Sequence, residues 1–150
     1  MVRLFGPNTK LVLAFLARLS DLSPRDFATV TNAWRQTDGR DRAEAWAQLH
    51  RATQERERYR ILAAASVARQ GALDAASRYH WPDWEFWAAA SDAAAAIAAR
   101  DRIGRHYEVL ISPLAAVMPW LLPGDGEVRS GAEAIAASHL PSGDVLQQGA

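Results

Sequence analysis

Two charged stretches, RATQERERYR at residues 51–60 and RDRIGRHY at residues 100–107, interrupt faces that are otherwise rich in alanine. They carry the residue types of acid–base and ligand-binding chemistry: carboxylates, guanidiniums and Tyr107, with His50 and His106 at their edges. Asp101 falls on or beside the apolar line Phe86, Ala90, Ala93, Ile97, Gly104, Tyr107 and Ile111 that a helix would bury, and Gly104 would permit close approach of another backbone. Trp46, Leu49, Ala52, Tyr59 and Leu62 form the matching line on the earlier stretch.

Two readings of these charges stand side by side. In the first, Asp101 pairs with Arg105, and Glu55 and Glu57 pair with Arg58 and Arg60, as solvated helix faces. In the second, Asp101, an arginine and a histidine form a buried polar cluster able to bind a small polar ligand, because a buried carboxylate must be paired. His50 would then donate a hydrogen bond to Asp101.

A second concentration of functional side chains is RYHWPDWEFW at residues 78–87, which holds three of the six tryptophans, Trp81, Trp84 and Trp87. Such rings serve as the buried corner of a helical turn, as a ligand box or as a partner surface. His80 fits as the cap of this corner. The usual catalytic and metal-binding patterns are missing from the sequence. No Glu-x-x-His, HExxH, G-x-S-x-G, P-loop or G-x-G-x-x-G occurs, and there is no cysteine. No metal ligand set and no cofactor is implied.

The elements that must position these residues are helical. Asn8 or Thr9 caps a first helix to about Leu19, apolar all round and therefore buried. Its LVLAFLA run is too short to span a bilayer. Ser23, Pro24 and Asp26 open a second helix that buries Phe27, Val30 and Trp34. TDGR at residues 37–40 breaks it, and Asp41 with Glu44 opens a third. Two long antiparallel helices are expected at about 41–70 and 82–111, with Gly71 ending or bending the first and Pro82 starting the second. Each would be about 45 Å long at 1.5 Å per residue. Opposed positions would sum to about 152, setting His50 level with Asp101 or Arg102, and Trp46 level with Arg105 or His106. Ser112-Pro113 begins a separate turn.

The expected fold is thus an all-α bundle, the long pair covered by shorter N-terminal helices. Residues 1–124 form one domain, and 125–150 a polar C-terminal segment with room for a short helix. Seventeen basic residues balance 17 acidic ones. That argues against nucleic acid or an anionic membrane as partner, and the cytoplasm is the default address. The expected function is a non-enzymatic interaction or assembly module that forms a homo-oligomer or binds a partner protein. The alternative is a small-molecule-binding protein or enzyme with a polar pocket between the long helices, near Asp101 and Tyr107. A polar, water-accessible cavity would favour the alternative; a flat apolar patch over several helices would favour assembly.

Overall fold

Gly6, with φ +84°, turns the chain into the first helix in a computed structural model that describes residues 4–123. The Thr9 hydroxyl closes that turn by donating to the Gly6 carbonyl at 2.6 Å and accepting from the Phe5 N–H at 3.1 Å. Helix α1 (Thr9–Leu19) buries one face, Val12, Phe15 and Leu19, while Leu13 is exposed. It is amphipathic rather than buried all round. Helix α2 (Pro24–Arg35) opens as its sequence predicts: Asp26 Oδ2 accepts from the Ser23 N–H at 2.9 Å. Its buried residues include Phe27, Val30 and Trp34.

Neither expected long span is a single helix. The first divides into α3 (Gly39–Ala52) and α4 (Glu55–Ser77). Asp38, not Asp41, caps α3, accepting from the Arg40 N–H at 2.8 Å. The TDGR tetrapeptide therefore holds a cap as well as a break. At the α3–α4 junction the Thr53 hydroxyl turns back to the Leu49 carbonyl at 2.7 Å. Arg58 donates to the carbonyls of His50 at 2.9 Å and Thr53 at 2.6 Å, satisfying the orphan acceptors of the finished helix. Glu57 Oε1 then accepts from the Gln54 N–H at 3.1 Å and begins α4. Gly71 lies inside α4 and does not end it.

The restart resets the helical phase. Helix α4 buries Ile61, Ala64, Ala65, Ala68, Ala72, Ala75 and Ala76. Tyr59 and Leu62, expected inside, are 76% and 48% exposed. At its far end His80 takes φ +54°, and the Trp81 N–H reaches the Ala76 carbonyl at 2.9 Å. This is a Schellman-type stop with histidine in the left-handed position that glycine usually fills.

The second span divides into α5 (Trp84–Ala98), the single turn α6 (Arg100–Ile103) and α7 (His106–Val117). Asp83, one residue beyond Pro82, stands at the α5 N-cap. Gly104, at φ +53° and ψ −128°, makes the break before α7. A Cβ there would meet nothing within 4 Å, so this glycine serves backbone conformation and not close packing. Pro113 lies within α7, not in a separate turn. Proline cannot donate to the Val109 carbonyl, but the Ser112 hydroxyl does so at 2.9 Å. A 3₁₀ turn, Pro119–Leu121, follows.

Helix α5 is the centre of the bundle. It touches α1, α2, α4 and α7, most extensively α4, and Phe86, Ala88–Ala90 and Asp92–Ala98 are all buried. The single expected stripe on α5 is in fact nearly its whole circumference. Among the described residues every regular element is helical. No helix there is long and apolar enough to cross a membrane. The C-terminal segment expected at 125–150 lies outside the described residues.

Candidate functional site

Helix α5 buries two carboxylates: Glu85 in its first turn, which accepts from Arg35 Nε at 2.9 Å, and Asp92 within the alanine run, only 3% exposed. Burial of a charge demands partners, and α3 supplies those of Asp92. Arg42 donates from Nε to Asp92 Oδ2, and from Nη2 to Oδ1 at 3.3 Å; the Trp46 indole N–H donates to Oδ1 at 3.0 Å. The Arg42 guanidinium also stacks 4.6 Å from the centroid of Trp34 on α2. Desolvation pushes the Asp92 carboxyl above its ordinary value, and the hydrogen bonds from Arg42 and Trp46 offset this only in part. Arg42 remains 38% exposed, so water screens its field at the carboxylate. Three donors fill most of the acceptor capacity of Asp92. Its chemistry is to tie α3 and α5 together. The network forms one wall of a cleft of about 460 Å³, which Asp38, Asp41 and Glu108 make strongly acidic.

A second cleft, of about 530 Å³, opens where the residues before α1, the start of α4 and the α5–α6 junction converge. Asn8 holds this junction. Its Nδ2 lies 3.2 Å from the Ile97 carbonyl, 3.3 Å from that of Ala98 and 3.2 Å from Asp101 Oδ2. It therefore serves carbonyls at the end of α5 as well as standing at the N-cap of α1. Arg102 of α6 donates to Glu57 Oε2 of α4 at 2.7 Å, a bond that holds the Glu57 carboxyl below the ordinary carboxylate value. Phe5, Ile61 and Ala98 give this cleft an apolar floor, and Arg56, Arg60, Arg102 and Asp101 a charged rim.

The structure separates several residues that the sequence reading grouped. Asp101 is exposed, lines the second cleft and accepts from Asn8. His50 is exposed on the last turn of α3, where its carbonyl takes a bond from Arg58; no hydrogen bond joins it to Asp101. Trp46 was expected level with Arg105 or His106 and instead reaches Asp92. Both displacements follow from the α3–α4 break, because the pairing of positions that sum to about 152 holds only along one unbroken helix. Glu57 pairs across to Arg102 rather than along its own helix to Arg60. Tyr107 is buried in the core with Arg100 5.2 Å from its ring centroid, away from the second cleft.

The three corner tryptophans pack against neighbouring helices. Phe27 of α2 meets Tyr79 at 5.9 Å, Trp81 at 6.0 Å and Phe86 at 4.5 Å between ring centroids. Trp84, 51% exposed, stands 5.8 Å from Trp34 and 6.2 Å from Trp87, and Arg69 covers Trp87 at 4.6 Å. None of Trp81, Trp84 and Trp87 lines either cleft.

Asp92, Arg42 and Arg56 have no site role in the sequence pattern, which offers Asn8 only as a helix cap and Arg60 only as a partner of Glu57. Asp92 did carry a signal: it is the one charge between Glu85 and Arg100, inside an alanine run. No group of acidic, histidine or cysteine side chains among the described residues is arranged to hold a metal ion. Comparison with protein families, with characterised proteins and with solved structures finds no match.

Proposed function

We propose that this chain binds a small polar organic molecule in the cleft between the residues preceding α1, the start of α4 and α6. One observation carries the reading: a cleft of about 530 Å³ combines an apolar floor with charged groups from α4 and α6 and the Asn8 amide from the segment before α1. Its size lies within the ~300–1,000 Å³ usual for ligand pockets, and its mixture of surfaces is the usual one too. No serine, cysteine, histidine or tyrosine lines it. Binding, rather than nucleophilic chemistry, is the work these side chains suit. A fragment screen followed through backbone amide NMR signals tests this. Shifts should concentrate at residues 5–8, 54–61 and 98–102; fragments clustering at another surface would refute it.

A second reading is self-association through the outer face of α4. Tyr59 and Leu62, three residues apart, are both exposed there, and a net charge of zero opposes association of like copies very little. Light scattering at micromolar concentration should then give a mass above the 16.4 kDa monomer, and Leu62→Glu should restore the monomer. A monomeric wild-type protein across that range would rule this out.

A further inference from the structure

We infer that the ligand of the α4–α6 cleft is an organic anion, a carboxylate or phosphate ester with a short apolar body, held between Arg56 and Arg60; this rests on the pocket reading above. Three guanidiniums line the cleft against two carboxylates, and both carboxylates are already engaged. Glu57 accepts from Arg102 and from the Gln54 N–H, and Asp101 accepts from Asn8. Arg56 and Arg60 have no hydrogen bond or ion pair among the described residues.

These two arginines are four residues apart, so they are neighbours on one helix face, where like charges repel. Arg56 also stands in the first turn of α4, where the helix dipole places positive potential. An anion between the two arginines would relieve both penalties, and the planar guanidinium fork matches the oxygens of a carboxylate or phosphate. The floor of Phe5, Ile61 and Ala98 supplies the second half of the recognition. A bare inorganic ion would leave most of the cleft to water, whereas an anion with a hydrocarbon portion would cover that floor. The other cleft has the opposite sign, with four carboxylates against Arg42, and would repel the same ligand.

The test uses the full chain and three probes of one length, hexanoate, hexan-1-ol and hexylammonium, each followed through backbone amide and arginine Nε–H NMR signals. Hexanoate should shift residues 5–8, 54–61 and 98–102 together with the Arg56 and Arg60 side chains. The alcohol and the amine should bind at least tenfold more weakly. Arg60→Gln should weaken hexanoate at least tenfold, Arg60→Lys should retain part of the binding, and Arg25→Gln on α2 should leave it unchanged. Arg60→Gln must also keep the wild-type amide spectrum away from the cleft; if it does not, Arg56→Gln serves as the reading variant. Equal binding of the alcohol or amine in this cleft would overturn the anion assignment while leaving the pocket intact. If no probe shifts these residues, both the anion and the pocket are refuted.

Discussion

Replacing Asp92 by alanine should cost about 2–3 kcal/mol of folding stability, while Asp92→Asn should cost less than about 1 kcal/mol. Alanine leaves the half-buried Trp46 N–H without its acceptor, a loss of about 1–3 kcal/mol. It also strips Arg42 of its ion pair. Breaking a fully buried pair costs about 3–5 kcal/mol, but Arg42 is 38% exposed and keeps its stacking on Trp34, so its share is smaller. Asparagine keeps an oxygen for Trp46 and removes the desolvated charge. The pH dependence follows from the raised carboxyl pKa. The folded state binds this proton more tightly than the unfolded chain, so the gain from Asp92 is full below the unfolded value of 3.8. It is lost as pH rises through the higher folded value, and is constant above that. Wild type should therefore lose stability relative to Asp92→Asn across this window and run parallel to it at higher pH. Urea unfolding of the three proteins between about pH 3 and pH 8 reads both effects. An alanine variant within about 0.5 kcal/mol of wild type at neutral pH, or an asparagine variant as damaged as alanine, would refute the assignment of Asp92 as the tie between α3 and α5.

Ala72 is fully buried on the alanine face of α4, so Ala72→Leu should destabilise by about 1–3 kcal/mol through overpacking, measured by urea midpoint. His80, at φ +54°, should tolerate glycine with a gain of up to about 1 kcal/mol, whereas His80→Val should lose about 1–2 kcal/mol; thermal unfolding separates the two. The Arg102 hydrogen bond lowers the Glu57 pKa, so its contribution is present above the unfolded value of 4.5 and is lost as pH falls through the folded one. Glu57→Gln should accordingly flatten the acid limb of the stability curve, and an unchanged limb would show that the pair adds nothing.

Local sequence determined the helical class and the starts of α1 and α2, and that of α5 to within two residues. Ser23 with Asp26, and Pro82 with Asp83 before Trp84, act within one turn of their own backbone, where tertiary context has little to alter. The aromatic corner was legible for the same reason: Phe86 and its neighbours lie beside a chain reversal that Pro82 and His80 mark in the sequence. The helix breaks were only half legible. Gln54-x-x-Glu57 has the form of a start signal and Gly104 that of a stop, yet an unbroken periodic pattern can run through both. What decides the α3–α4 break is Arg58 reaching back to the carbonyls of His50 and Thr53, a contact that exists only once the chain has turned. The alanine run of α5 was ambiguous because alanine is small enough for either a core or a surface. Only enclosure by α1, α2, α4 and α7 buried it on nearly every side and forced Asp92 to find Arg42, 50 residues away. The cleft belongs wholly to that level. Asn8, Arg60 and Asp101 come from three distant segments, and no periodicity along one segment can bring their side chains to one cavity.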